Sequence, residues 1–437
     1  MKNEQTESRP ATVPETAQQA GETHDPWWWV ERGVWTDSML RALENGVKGN
    51  KWFRLIDKVY TEKNLNSGFN AVWRNKGSAG IDGQTIQQFD AKLEEQIGKL
   101  AKELRQETYR PKPVKRVWID KLGSKDKRPL GVPAVRDRTV QAAVRNVIEP
   151  IFEREFSERS YGCRPGRGCE GALDRVEELL DKGYTWIVDA DLKSYFDTIP
   201  QDRLLGRVKE RIADGKVLDL IELFLKQGVI EELKGWQPTE RGTPQGAVLS
   251  PLLANLYLNP LDHKMVLAGR EMTRYVDDFV IQCRSREDAE AALAEVKAWV
   301  EAEGLQLHPT KTRVVDVTQK GGFDFLGYHY ERGQQWPRKK SLEKLKETIR
   351  EETPRTNGRS MEEIIHRLNP HLKGWYAYFY RSERWSLREI DKMVRRRLRA
   401  ILMKRHRKRG TAWRQANRLW TINFFTTRGL FCLEPPA

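Results

Sequence analysis

Tyr275-Val276-Asp277-Asp278 places two adjacent carboxylates inside an apolar, strand-like run from Thr273 to Cys283. Charged side chains are rarely buried unless paired or bound to metal, so both aspartates need a local reason. A tight turn is one, since Asp is a common turn residue. A hard cation is the other, because Mg²⁺ takes carboxylate oxygens and keeps positions open for phosphate and water. A second acidic segment upstream favours the cation. From Trp186 the chain reads Ile187-Val188-Asp189-Ala190-Asp191-Leu192. Strand side chains alternate between faces, so Ile187, Asp189 and Asp191 share one face, and the purely apolar Val188, Ala190 and Leu192 share the other. If this strand packs beside the hairpin of Asp277 and Asp278, at least three carboxylates converge and repel one another unless cations neutralise them. Two Mg²⁺ ions about 4 Å apart would do so, one activating an attacking oxygen and the other stabilising the leaving one. The residues imply metal-dependent phosphoryl transfer and leave its kind open.

Such a cluster needs strands to carry it and helices to back them. Val114 to Asp120 is rich in β-branched and aromatic residues and reads as a strand, after the break at Tyr109-Arg-Pro-Lys-Pro113. Gly123-Ser-Lys-Asp126 reads as a hairpin tip ringed by Lys121, Lys125, Lys127 and Arg128. Helical pattern runs from Asp137 to Phe156, from Glu170 to Lys182 with a stop at Gly183, and from Leu204 to Lys226. Asn75 to Gly83 is glycine-rich without the spacing of a phosphate-binding loop, and reads as a turn-rich connection. Trp27-Trp28-Trp29 reads as an anchor to a core rather than a stack for bases. Helices, then strands separated by helices, then a basic helical region exclude an all-β protein and suggest an α+β catalytic unit with a helical appendage.

The chain has 437 residues, which implies about two to four domains. No apolar run approaches the ~20 residues of a membrane helix, and residues 1–26 read as a disordered polar tail rather than a targeting segment. Cys163, Cys169, Cys283 and Cys432 form no Cys-x-x-Cys pair, which argues against zinc and a disulfide framework and suits a reducing compartment. The net charge of +15 is concentrated: Arg338 to Arg418 holds 25 Lys and Arg against 9 Asp and Glu, and the rest is near neutral. A localised basic surplus is the footprint of polyanion binding. Within it Val394, Leu398, Ile401 and Leu402 form one helical stripe. Arg395, Arg396 and Arg399 lie around that stripe and are the candidate phosphate contacts. Tyr376, Tyr378, Phe379 and Tyr380, near Trp375, read as core.

From about Trp52 to about Arg409 the chain resembles the reverse transcriptases encoded by group II introns, which also serve as splicing maturases. Asn75–Gly83 resembles the family's N-terminal extension block. Lys127-Arg-Pro-Leu-Gly-Val-Pro133, Asp137-Arg-Thr-Val-Gln141 and Ser160-Tyr-Gly-Cys-Arg-Pro-Gly166 resemble its fingers blocks. Asp189–Asp197, Gly242–Pro251 with the following Leu-Leu-Ala-Asn-Leu, and Tyr275–Asp278 resemble its three palm motifs. Leu307–Thr312 resembles the next block, Phe323–Tyr328 the primer grip, and Leu368–Trp375 with Tyr378-Phe379 the thumb, or domain X. All of them occur in order. The chain departs from the pattern at Val276, where Ala is usual, at Cys163 in place of Phe, and at Cys169-Glu170 in place of Ser and His. No Cys/His-rich endonuclease module follows the thumb.

The resemblance implies a right-hand polymerase fold, with fingers and an antiparallel palm sheet, plus a helical thumb. Its expected division is a tail at 1–26, an N-terminal extension at 27–110, fingers and palm at 111–335, a basic thumb at 336–420 and a C-terminal tail at 421–437. It assigns two Mg²⁺ ions (Mn²⁺ being a substitute) to Asp191, Asp277 and Asp278, with the Leu192 backbone carbonyl as a further ligand and Asp189 as a neighbour. Phe196, five residues after Asp191, becomes the gate against a 2′-hydroxyl. Lys121 and Arg128 take the triphosphate, Gln245 the nucleotide or template, and Lys311 protonates the pyrophosphate leaving group. The implied activity is RNA-directed DNA polymerisation with splicing assistance and mobility of an intron RNA. The implied partners are an RNA template, a DNA primer, dNTPs, intron RNA and a DNA target, in bacterial cytoplasm and at the nucleoid. Two other readings stand beside it: a domesticated polymerase in DNA repair or defence, and a non-catalytic RNA-binding splicing factor. The oligomeric state is left open.

Overall fold

The computed structural model describes residues 25–120, 127–231, 235–356, 358–406 and 413–434. At its centre lies a four-stranded sheet in the order Glu271–Tyr275, Asp278–Cys283, Trp186–Asp191, Arg313–Asp316, with every neighbouring pair antiparallel. The alternation in the acidic strand orients it. Val188, Ala190 and Leu192 enter the largest core with Met272, Phe279 and Ile281. That core also takes Leu253, Tyr257 and Leu261 from the helix Ser250–Leu267 and Ala289, Ala292 and Val296 from the helix Arg286–Ala302. Ile187 and Val280 face the other way, into a smaller cluster. There they meet Ala172, Leu173 and Val176 of the helix Cys169–Asp181 and aromatic residues of a three-stranded sheet, Phe323–Phe325, Tyr328–Glu331 and Gln334–Pro337. The sheet is thus covered on both sides near Ile187, whereas Asp189 and Asp191, further along the Ile187 face, stay only partly buried.

The fingers sheet is built on Val114–Asp120, the strand expected from its β-branched and aromatic residues. It pairs antiparallel with Lys127–Val132 and parallel with Val229–Glu231, which pairs with Gly235–Gln237. The expected tip at Gly123–Asp126 lies outside the described residues. The helices Glu62–Asn75 and Val135–Glu153 pack closely, because Gly68 brings no side chain: a Cβ there would sit 2.6 Å from the Thr139 carbonyl oxygen. Trp27 and Trp29 pack on the main core and Trp28 is exposed, so the tryptophan run anchors rather than stacks. The tail expected at residues 1–26 falls almost wholly outside the described residues.

Two expectations are corrected. Leu204 to Lys226 is not one helix but two, Gln201–Lys209 and Gly215–Lys226. Asp214 separates them: one carboxylate oxygen accepts from the Lys216 and Val217 amides and the other from the Leu55 and Ile56 amides, at 2.7 and 2.9 Å for the latter pair. Residues 421–433 are not a loose tail. They carry the helix Ile422–Thr426 and bury Phe425, Leu430 and Leu433, with Trp420, in the core of the C-terminal helices. Asp391 fastens the end, accepting from the Leu433 and Glu434 amides at 3.1 Å each. That core is otherwise made by Lys339–Glu352, Met361–Phe379 and Arg384–Arg405, and it holds the whole predicted stripe Val394, Leu398, Ile401 and Leu402. Among the described residues no helix is long and apolar enough to cross a membrane.

Candidate active site

Antiparallel register sets Asp191 directly opposite Asp278, and opposed residues of such a pair have Cβ atoms about 4.5–5.5 Å apart on one face. Tyr275 pairs with Asp278, which leaves Val276 and Asp277 as the two-residue turn. Asp278 bears the consequence. Burial first, then the charges of Asp277, Asp189 and Asp191, push its carboxyl up to about 7. Asp277 is also raised, chiefly by burial, with Asp191 adding to the effect and Arg128 and Arg274 opposing it. Asp189 lies opposite Val280, one step back from the turn, and faces a cation of its own: Arg313 Nε lies 3.3 Å from its Oδ2, and the same guanidinium donates to the Gly322 carbonyl at 3.0 Å.

Lys311 Nζ stands 2.6 Å from Asp191 Oδ2, and the His308 amide donates to the Asp191 carbonyl at 2.7 Å. Leu192 is buried and bridges to Leu307, which fixes the backbone on which its carbonyl sits. Among the described residues no three acidic, His or Cys side chains already enclose a common point; the Asp191 carboxylate is held by Lys311. The fit to a hard cation rests on chemistry: all donors are oxygens, and the repulsion that raises Asp278 is what a divalent ion relieves.

Of the residues expected at the nucleotide, Arg128 comes from the strand Lys127–Val132 and meets Gln245, which follows the Gly242 turn. Arg128 Nε donates to Gln245 Oε1 at 3.1 Å, and the Gly131 amide donates to the Gln245 carbonyl at 2.6 Å. Phe196 is half-buried, edge-on to Tyr195 with ring centres 5.6 Å apart. Its carbonyl accepts from the Thr243 amide at 2.7 Å. Gly242, at φ +79°, makes this approach possible, since a Cβ would lie 2.4 Å from the Phe196 oxygen. Arg128, Gln245 and Phe196 therefore belong to one connected lip, and Arg128 is near enough to Asp277 to act on its charge. Lys121 lies outside the described residues.

The three candidate arginines of the helix Arg384–Arg405 do not share one environment. Arg396 is exposed and lines a cleft of about 810 Å³ between the helices Lys339–Glu352 and Arg384–Arg405, together with Lys346, Arg350, Arg355, Lys392 and Trp385. Arg395, with 11% of its side chain exposed, lies 3.9 Å from Asp391. Arg399 donates to the Trp420 carbonyl at 2.8 Å and covers the Phe425 ring at 5.6 Å. Arg399 thus holds the C-terminal segment and Arg395 stands beside Asp391, which caps its end, so both are less open to a phosphate than Arg396. The i, i+4 spacing of Asp391 and Arg395 was a visible hint; the partners of Arg399 were not.

Sequence reasoning also missed Arg274, Asp262 and Asn255. All three are buried behind the hairpin turn. An arginine directly before the Tyr275–Asp278 turn, and two polar residues seven apart on an apolar helix, were the available signals. Val276 itself sits at φ +61°, a conformation that costs a β-branched residue about 1–3 kcal/mol.

Residues 115–330 match the family model for reverse transcriptase (RNA-dependent DNA polymerase), and residues 342–420 match the group II intron, maturase-specific domain. Group II intron-encoded protein LtrA of Lactococcus lactis subsp. cremoris is 43% identical over 200 residues, 45% of this chain and 32% of LtrA. Protein YkfC of Escherichia coli (strain K12) is 34% identical over 288 residues, 57% of this chain and 74% of YkfC. An uncharacterized 91 kDa protein in the cob intron of Schizosaccharomyces pombe is 40% identical over 166 residues, 38% of this chain and 20% of that protein. The chain thus spans about a third of LtrA and about three quarters of YkfC. With fingers and an antiparallel palm leading into a maturase-specific helical domain, the chain belongs to the family of group II intron-encoded reverse transcriptases and maturases.

Proposed function

We propose that this protein is an RNA-directed DNA polymerase that extends a DNA primer on an RNA template from dNTPs, and that it binds and assists the splicing of a group II intron RNA. The observation that carries the polymerase reading is the opposition of Asp191 and Asp278 across two strands, with Asp277 in the connecting turn. Asp191, Asp277, Asp278 and the Leu192 carbonyl would hold two Mg²⁺ ions, which when bound stabilise charge on the attacking and leaving oxygens. Arg128 and Lys121 bind the triphosphate, Gln245 orients the nucleotide against the template, and Phe196 fills the space a 2′-hydroxyl would need. Lys311, an ammonium held at the carboxylates by Asp191, donates the proton to the departing pyrophosphate. Exposed cations of the thumb cleft, Arg396 among them, take phosphates of the template–primer duplex and intron RNA. The unit so described comprises an N-terminal extension (27–110), fingers and palm (111–335) and a thumb that runs from 336 to 433.

Primer extension by the purified protein with Mg²⁺ tests the reading. Asp191→Asn and Asp277→Asn should each lower incorporation by about three orders of magnitude or more, the scale on which removing a charge-stabilising group acts. Asp189→Asn, which lies opposite Val280 rather than opposite Asp278, should cost less than about tenfold by the same comparison. Equal extension by Asp277→Asn and the parent would remove the two-metal assignment.

A further inference from the structure

Behind the catalytic turn lies a buried polar assembly that the polymerase reading does not use. Arg274, next to last in the strand Glu271–Tyr275, has none of its side chain exposed. Its guanidinium donates to both oxygens of Asp262, at 2.7 Å from Nε and 2.5 Å from Nη2. Nη1 divides its donation between Asn255 Oδ1 at 2.9 Å and the Val276 carbonyl at 2.7 Å. Asn255 passes the connection on, its Nδ2 donating to the Gly162 carbonyl at 2.7 Å. Gly162 in turn lies against the turn itself: a Cβ there would come within 2.6 Å of both the Val276 amide nitrogen and its Cγ2. The backbone of Arg274 is fixed as well, its amide donating to the Arg159 carbonyl and its carbonyl accepting from the Tyr161 amide, both at 2.9 Å.

The bidentate pair with Asp262 uses Nε and Nη2, and the remaining nitrogen, Nη1, is shared between Asn255 and one backbone carbonyl. That carbonyl belongs to the residue at φ +61°, and it lies in the peptide plane that joins Val276 to Asp277. Holding the oxygen fixes the plane, and the plane sets the direction from which the Asp277 side chain departs. A buried guanidinium that is planar and always charged is suited to such a task, whereas a lysine offers no fork. We propose that Arg274 is a positioning residue of the polymerase site: with Asp262 and Asn255 it clamps the strained Val276 turn and thereby aims the Asp277 carboxylate at the divalent cation. The positive charge also reaches Asp277, where it opposes the rise that burial causes. The inference rests on the metal role given above to Asp277.

A double-mutant cycle tests it, with two readouts: single-turnover extension of a bound primer–template, and Mn²⁺ binding to the same protein without nucleotide, followed by electron paramagnetic resonance. Arg274→Lys should lower the maximal rate at least tenfold, leave the apparent dNTP affinity within threefold, and weaken Mn²⁺ binding at least fivefold. Val276→Gly removes the cost of the left-handed turn, so in the Val276→Gly background the Arg274→Lys loss should shrink at least threefold in both readouts. A merely structural arginine predicts a loss that tracks melting temperature and that glycine at this turn does not relieve. If Arg274→Lys does not fold, Asn255→Ser, which spares the ion pair, carries the same cycle. A folded variant with parental rate and parental Mn²⁺ affinity overturns the proposal, as does a loss of equal size in both backgrounds. A parent that fails to extend primers sinks the polymerase reading instead, while its Mn²⁺ affinities still decide the clamp.

Discussion

Phe196 and Asp278 show what single side chains decide. Phe196 packs edge-on to Tyr195 at the margin of the largest core and receives the Thr243 amide on its carbonyl, so its half-buried ring fills that core only in part. Phe196→Ala should therefore cost little stability and lower discrimination against ribonucleotides by about tenfold or more, a change comparable to losing one well-placed contact. Single-turnover incorporation of dNTP against rNTP checks this, and an unchanged ratio with a lowered melting temperature would make Phe196 a packing residue. Asp278 makes a prediction about pH. Its folded carboxyl is raised to about 7, so between its ordinary value and 7 the native state holds more protons than the unfolded one. Stability then falls as pH rises through that window and stays low above it. Three units correspond to about 4 kcal/mol as an upper bound. In EDTA at pH 8 Asp278→Asn should melt several degrees above the parent, and near pH 4 the difference should vanish. A variant less stable than the parent at pH 8 would show that the carboxylates are not in conflict.

At the scale of elements, the helix Arg384–Arg405 performs two tasks with one residue type. Its buried stripe packs the thumb core, and its arginines divide between holding neighbouring segments and facing the cleft. Arg397 donates to Thr353 Oγ1 at 2.6 Å and to the Thr353 and Arg350 carbonyls, which closes the end of the helix Lys339–Glu352. Arg399→Ala should destabilise the thumb by about 0.5–1.5 kcal/mol, the net worth of the one hydrogen bond it gives the Trp420 carbonyl. Arg396→Ala with Arg355→Ala, both at the cleft, should leave melting unchanged. RNA affinity should fall and its logarithmic salt slope flatten by about two, one for each lost phosphate contact. Salt titrations of binding by both variants check the division. A parental slope in the cleft variant would show that those cations face only solvent.

For the whole molecule, the consequence lies at the C-terminal end. Trp420, Phe425, Leu430 and Leu433 belong to the thumb core, and burying each such side chain is worth about 1.5–3 kcal/mol. Their sum is of the order of a domain's whole stability. A chain ending at Arg418 should lose the cooperative unfolding of its thumb, seen as fast hydrogen exchange along Met361–Phe379 and Arg384–Arg405, while the palm strands stay protected. Protected thumb helices in that truncation would show that the segment only covers them.

The sequence alone determined what depends on neighbours along the chain. Period-two alternation separated the faces of Trp186–Asp191, the apolar stripe of the last long helix marked its buried side, and the carboxylates named their chemistry by their cost of burial. Only the tertiary structure decided what depends on partners distant in sequence. Asp189 and Asp191 share a face, and it is the register with the neighbouring strand that sets Asp191 against Asp278 and Asp189 against Val280, while Arg313 and Lys311 arrive from elsewhere to meet one each. The break before Gly215 depends on amides at Leu55 and Ile56. Arg399 cannot be told from Arg396 until Trp420 and Phe425 fold back over it. An apolar side chain shows its preference for burial by its own type, whereas a charged one reports its role only through the partner that meets it.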